Sequence, residues 1–498
     1  MAFADLREWI DRLESDGDLK RVSAEVDWNL EMGGITRTVM DKYGPGLLFE
    51  NLKGYNKKES RCKKLATAMM AAPRRLSYLL DLPRDTSMGA MIKGLKEKLQ
   101  ERIKPTLLST GPVKENILKG KEINLYDFPA PIWHHRDGGR YFNTSCVVIT
   151  KDPQTGGVNL GTYRGMVLDK NRIGVYLSPQ QHWGMHYQKF IEMGKPMPVA
   201  VAIGLDPVVR FVGSIPFSYD VCEYDVAGAL RKAPVQLVKC ETVDLEVPAS
   251  AEIVVEGTIS PDPKSWAMEG PMGEYTGYYG GVASLKPVIG VTCLSHRNDP
   301  IFESVCEGWG PGHPNESAVF MQLSGSAILW NALERSGVPG VLDVYLLPAS
   351  RHATVAVKIH KTYFGQAKQV AAALWGCKIP YWAKHVMVVD DDIDIHDFEA
   401  LEWAFAYRVN PDPAGNDLVV YPGTMGSAID PSTPVKERTI MGKTMAKWNR
   451  LLIDATKNWE LEPQEQYGGD IYPPVSFEIS PETQKLIDSR WSEYKIDL

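Results

Sequence analysis

The sequence predicts a mixed α+β protein: an N-terminal α/β segment, a central antiparallel barrel of short strands, and a C-terminal α/β segment around a small sheet. Three observations predict it. Apolar residues at helical spacing mark the first part of the chain and the stretch from Asn315. From about residue 141 to 305 the pattern becomes short, β-branched apolar runs cut by Gly, Pro, Asn and Asp, the spacing of an antiparallel barrel. From Asn315 onward, helical and strand-like runs alternate, as in an α/β layer. The expected division is 1–115, 116–314 and 315–498, the last segment ending in an oligomerising tail.

Taken in order, Phe3, Leu6, Trp9, Ile10 and Leu13 recur at helical spacing and stop before Gly17. Strands follow near 47–51 and 65–69. Met88, Met91, Ile92, Leu95, Leu99 and Ile103 line one helical face up to Pro105, and a methionine stripe of this kind is core packing. The central block predicts strands at 146–150, 174–177, 199–203, 209–212, 253–259 and 288–294. Asn315 opens a long helix that ends near Gly337. Strands at 341–347 and 354–359, a helix at 363–375, a strand at 385–389 and a helix at 397–408 follow. The tail from Gly415 is rich in Pro, Gly and Tyr and is expected to pack across a partner subunit. No internal repeat or low-complexity segment is present.

With 498 residues, 44% of them apolar and 23% charged, the chain can bury a sizeable core in two or three domains. A net charge of −7 without a dense Lys/Arg stripe argues against a nucleic-acid partner. No apolar run approaches the roughly 20 residues that cross a bilayer, and the first residues are acidic and amphipathic, so a cytoplasmic protein is expected. Seven cysteines, odd in number and without a CxxC pair, read as reduced thiols. Cys222 and Cys306 lie close to candidate site residues, where oxidation would inactivate the site.

The run Glu269-Gly270-Pro271-Met272-Gly273-Glu274 carries the strongest chemical signal. It sets two carboxylates five residues apart on a segment that Gly-Pro and Met-Gly keep from being helical. Five residues span at most roughly 17 Å, so a turn can aim both acids into one pocket as a proton-transfer site. The competing reading is a solvated acidic turn between strands. Upstream stand Asn159, Arg164, His182 and Glu223. An amide oxygen, an imidazole nitrogen and a carboxylate suit Mn²⁺ or Mg²⁺, with positions left open for phosphate oxygens and water. The planar fork of Arg164 can hold a substrate carboxylate or the acids of the 269–274 run.

Three further signals resolve differently. His182 and His186 have i, i+4 spacing but lack the HExxH glutamate, so His182 is the candidate ligand and His186 a bystander. Asp390-Asp391-Asp392-Ile393-Asp394 resembles a calcium loop, but Ile395 replaces the sixth-position glycine and Leu401 the twelfth-position glutamate; a strand end whose carboxylates cap the next helix is the better reading. The GxGxG run from Gly308 to Gly312 reads either as a mobile loop in which Trp309 and His313 border a substrate pocket or as a plain barrel-exit turn.

These motifs together resemble the UbiD family of decarboxylases, which use prenylated FMN. The resemblance rests on Asn159-Leu160-Gly161-Thr162-Tyr163-Arg164, Pro179-Gln180-Gln181-His182, Glu223-Tyr224-Asp225, and the run from Glu269 to Tyr279. It implies a split β-barrel that carries the flavin. Asn159, His182 and Glu223 would hold Mn²⁺ or Mg²⁺ against the cofactor phosphate, and Tyr163, Arg164, Gln181 and Lys358 would complete the cofactor site. It implies a potassium ion as well, although Leu160 stands where some members carry Trp. Arg164, Glu269 and Glu274 match the catalytic set, with Glu274 the proton donor.

The implied partners are an aromatic or α,β-unsaturated acid, first of all a 4-hydroxybenzoate-type acid, and a flavin prenyltransferase that supplies the cofactor. Assembly is expected as a homodimer or homohexamer. No side chain can accept the charge left on an sp² carbon when CO₂ departs, so a cofactor is required. Rival readings are a carboxylase acting on an arene or phenol, a flavin oxidoreductase, and a non-catalytic subunit.

Overall fold

The computed structural model describes residues 3–308, 310, 315–351, 353–377, 382–411, 417–435, 438–440, 443–444, 446–474, 476 and 479–496. The first helix, Leu6–Ser15, begins where the Asp5 side chain accepts a hydrogen bond from the Glu8 amide, and it buries Leu6, Trp9, Ile10 and Leu13. Beside it lies a four-stranded sheet in the order Leu19–Val22, Gly46–Phe49, Lys64–Thr67, Ile301–Glu303. The last strand comes from beyond the central sheet and pairs in parallel with the third. Helix Met88–Lys98 ends five residues before Ile103, the last residue of the predicted helical face. Ile103 instead donates its N–H to the Asp225 carbonyl at 2.9 Å, because the chain is already extending toward strand Thr106–Leu108 and Pro105 disfavours helix before it.

The central sheet has nine antiparallel strands. Its middle is Cys146–Lys151, Met197–Ile203, Ile253–Ile259 and Val288–His296. The two end strands, Tyr141–Asn143 and Val158–Gly161, do not pair with each other, so the sheet curls into a half-barrel and stays split. Along these strands successive residues feed opposite cores: Val147, Ile149, Ala200, Ala202 and Val254 pack on one face, and Cys146, Val148, Val201, Ile253 and Val255 on the other. Burial on both faces explains why the strands read as continuous apolar runs.

One predicted strand is a helix. Residues 209–212 belong to helix Pro207–Val212, in which every residue is buried. Asp206 accepts from the Val208 amide at 2.7 Å and Pro207 occupies the first turn, so an N-cap with a pre-set φ outweighs the β-branched composition.

The third unit opens with helix Glu316–Arg335, capped by the Asn315 side chain on the Ala318 amide at 2.8 Å. Its sheet runs Val341–Leu346, Thr354–Ile359, His385–Val389, Ala446–Ala455, Leu418–Gly426. The tail therefore supplies two strands of this sheet in addition to the exposed helix Pro481–Tyr494, which buries no residue. The 390–394 acids do not cap the next helix. Asp397 does so through the Glu399 amide, whereas Asp390 accepts from the Lys457 amide at 2.6 Å and Asp392 pairs with Arg408 at 2.6 Å, which ties the tail to the sheet.

Candidate active site

Arg164 sits in the connection between Val158–Gly161 and Gly165–Asp169, at the open edge of the half-barrel. Its Nη2 donates to Glu269 Oε2 at 2.9 Å and its Nη1 to Glu274 Oε1, so one guanidinium bridges both acids of the 269–274 run. Glu269 ends strand Ala267–Glu269 and is fully buried. Gly270 follows at φ +89°, a conformation open to glycine at little cost, and turns the chain back so that Glu274 reaches the same fork. Tyr141 Oη donates to Glu269 Oε1 at 3.1 Å, and the Arg164 guanidinium lies 4.7 Å from the centroid of the Tyr176 ring. Burial disfavours the Arg164 cation, but attraction to Glu274 and Glu269 overrides it and holds the pKa above the ordinary guanidinium value. Burial pushes the Tyr176 phenol up to about 12. The fork is therefore a fixed cation.

The turn is clamped from outside. The Gly138 amide donates to the Pro271 carbonyl at 2.7 Å, and Asp137 Oδ1 accepts from the Gly273 amide at 2.9 Å. Space is tight: a Cβ on Gly138 would stand 2.1 Å from the Gly270 oxygen, and one on Gly280 would stand 2.6 Å from Glu274 Cγ.

Arg164 and Glu274 line a cavity of about 270 Å³ that adjoins a smaller one of about 120 Å³. The two share Thr162, Tyr163, Gln180, Gln181, Ser214 and Pro216. Asn159, His182 and Glu223 line the smaller cavity. Asn159 is on the end strand, and His182 and Glu223 are the first residues of helices His182–Glu192 and Glu223–Arg231. His182 Nδ1 and Asn159 Oδ1 are 3.0 Å apart, and Glu223 Oε2 accepts from the Leu160 amide at 3.1 Å. Two helix N-termini thus meet an amide, an imidazole and a carboxylate, a setting for an anion together with a hard cation. Among the described residues no group of three His, Cys, Asp or Glu side chains forms a metal cluster, so any cation here depends on the asparagine oxygen.

The joined space also fits a polar heteroaromatic group. The fully buried Asn143 amide and the Gln180 side-chain nitrogen line the larger cavity and find no hydrogen-bond partner among the described residues. Tyr163, which lines both cavities, stacks on Trp183 with ring centroids 4.2 Å apart.

The remaining candidates fall elsewhere. His186 bonds Thr150 Oγ1 at 2.9 Å, and burial pushes its pKa down to about 4. Lys358 lies on strand Thr354–Ile359 of the C-terminal sheet and lines neither cavity. Trp309 and His313 lie outside the described residues. Burial pushes the Cys222 thiol up to about 11 and raises that of Cys306, which disfavours the thiolate that oxidation would need. Asn143, Tyr141, Tyr176 and Glu307 escaped the sequence reading, because single polar or aromatic residues inside apolar strands and loops carry no local motif.

Comparison with known proteins gives matches over most of the chain. The families described as 3-octaprenyl-4-hydroxybenzoate carboxy-lyase N-terminal domain, Rift-related domain and C-terminal domain match residues 10–95, 106–309 and 318–455. An uncharacterized protein of Archaeoglobus fulgidus is 34% identical, with 99% of each chain covered, and one of Aquifex aeolicus is 35% identical with the same coverage. Among solved structures, the UbiD-class enzyme HmfF from Pelotomaculum thermopropionicum in complex with FMN is 32% identical, with 97% and 99% coverage and a TM-score of 0.79. Vanillic acid decarboxylase from Sedimentibacter hydroxybenzoicus in its closed form is 29% identical, with both chains fully covered and a TM-score of 0.85.

Proposed function

The chain belongs to the UbiD family of carboxy-lyases, and on that premise we propose that it interconverts an aromatic or α,β-unsaturated acid with its decarboxylated product, using prenylated FMN in the joined cavities. One observation carries this reading: a guanidinium bonded to two carboxylates stands on the wall of a cavity that continues into the Asn159, His182 and Glu223 set. Similar proteins support the cofactor, since HmfF is described with FMN and, in an evolved dimeric form, with prFMN.

Bound prenylated FMN supplies the electron sink for the charge left on an sp² carbon when CO₂ departs. Asn159, His182 and Glu223 would hold Mn²⁺ or Mg²⁺, which neutralises the cofactor phosphate. The protein's own residues do the rest. Arg164 attracts the substrate carboxylate and fixes it toward the cavity, while Glu269, fully buried and bonded by Tyr141, keeps the fork from turning. Met272, Phe320 and Trp382 give the larger cavity apolar walls that limit water. Glu274 takes a proton from water at its cavity face and gives it to the carbon that lost CO₂, and the carboxylate that results returns to its pairing with Arg164. Run backward, the same residues remove that proton and carboxylate an arene, with CO₂ concentration setting the direction.

Glu274→Gln should keep the flavin and lose turnover by at least about a hundredfold. An active Gln variant would remove Glu274 from proton transfer. A flavin oxidoreductase would instead oxidise NAD(P)H and tolerate the change. Asn159→Ala and His182→Ala should each lose divalent metal and flavin together, measured by elemental analysis and flavin absorbance.

A further inference from the structure

Two carboxylates line the larger cavity: Glu274, bonded to Arg164, and Glu307, to which the mechanism assigns no task. Glu307 follows strand Ile301–Glu303 and is half-buried. Its Oε2 accepts from Asn315 Nδ2 at 2.7 Å and its Oε1 from the Ser317 hydroxyl, so the start of helix Glu316–Arg335 fixes it in place. A carboxylate offers about four acceptor sites, and these two bonds leave acceptor capacity on a group that opens on the same space as Arg164. Burial pushes its pKa up to about 7 against the Ser317 bond; Glu274 adds to the rise, and Arg351 and Arg210 oppose it. Neither arginine lines the cavity.

We infer that Glu307 selects the ring substituent of the substrate: it accepts a hydrogen bond from a neutral donor, a phenolic hydroxyl or ring amine, and turns away a second carboxylate. This rests on the carboxy-lyase reading only for which end of the acid meets Arg164. An acceptor site on Glu307 that the ligand shields from water without meeting penalises an analogue without the donor, and a second anion beside the Glu307 carboxylate in a water-poor cavity is repelled.

The test is calorimetric binding at pH 8.5, where Glu307 is ionised, to the flavin-loaded protein of 3- and 4-hydroxybenzoate, the matching fluorobenzoates, and isophthalate and terephthalate. Fluorine keeps the size of the hydroxyl without its proton. Wild type should bind one hydroxybenzoate roughly tenfold or more tighter than its fluoro analogue, with the dicarboxylates weaker still. Glu307→Gln should bring that ratio within about threefold and improve dicarboxylate binding, by loss of the charged acceptor. Glu307→Asp, which keeps the charge on a shorter arm, should lower the ratio yet still exclude dicarboxylates, and it carries the test if the Gln variant melts early. Wild type without the preference, or a preference that Glu307→Gln retains, overturns the inference. Turnover is scored separately: the predicted affinity pattern without decarboxylation of any acid upholds Glu307 and removes the carboxy-lyase reading, and decarboxylation with an unchanged ratio does the reverse.

Discussion

Arg164 holds a carboxylate at each side of its fork, and the two acids are not equivalent. Glu269 has no solvent contact, whereas the Glu274 side chain keeps 12% of its surface exposed, on the cavity side. Removing the guanidinium with Arg164→Ala would leave Glu269 buried and unpaired, so about 3–5 kcal/mol of stability should be lost in chemical denaturation. Arg164→Lys keeps the charge without the bidentate geometry and should recover part of that loss without restoring turnover. An Ala variant as stable as wild type would mean that Glu269 is not held as an anion by Arg164. Behind the cavity, burial pushes Glu303 up to about 7 from an ordinary 4.5. An acid whose folded pKa is raised favours folding while protonated, so this contribution is present below pH 4.5 and is lost as pH rises toward 7. Glu303→Gln cannot ionise, and its stability relative to wild type should grow by about 2–3 kcal/mol across that window. A difference that stays flat with pH would contradict it.

The acid turn works as an element, because the Gly138 amide and the Asp137 carboxylate hold its main chain at Pro271 and Gly273. Gly138→Ala puts a methyl into the Gly270 carbonyl and should lower kcat by about 10–100-fold while flavin absorbance is kept. Full activity would show that the turn tolerates displacement. Much at this scale was legible in the sequence: the strands at 253–259, 354–359 and 385–389 and the helix opened by Asn315 match the observed elements. Long apolar runs bounded by breakers leave few alternatives. The helix Pro207–Val212 was hidden because its six residues are all buried and erase the polar face of an amphipathic pattern, although Asp206-Pro207 did mark its start. Strand Leu418–Gly426 was hidden by its own Pro422-Gly423, which interrupts the run and reads as a turn. At the site, Asn159, His182, Glu223 and the two acids stand in recognisable runs. Asn143 and Glu307 come to the cavity only through tertiary packing.

On the scale of the whole molecule, the cavity is built from the central half-barrel and closed by Phe320 and Trp382 of the third unit. Tail strands Leu418–Gly426 and Ala446–Ala455 lie inside that unit's sheet, while helix Pro481–Tyr494 exposes Leu486, Trp491 and Tyr494. Ending the chain at Ser480 should therefore move the melting temperature by less than about 3 °C, since the helix contains no fully buried residue. If the exposed helix covers another copy, light scattering should also report a smaller assembly; an unchanged mass would place the subunit contact elsewhere. The central claim is that this cavity holds prenylated FMN for carboxy-lyase chemistry. It is tested most directly by mass spectrometry and absorbance of the cofactor released from protein co-produced with a flavin prenyltransferase. The account predicts the mass of prenylated FMN with divalent metal in near-equal amount. Unmodified FMN, or no flavin at all, would contradict it and leave Glu274 an ordinary acid in a clamped turn.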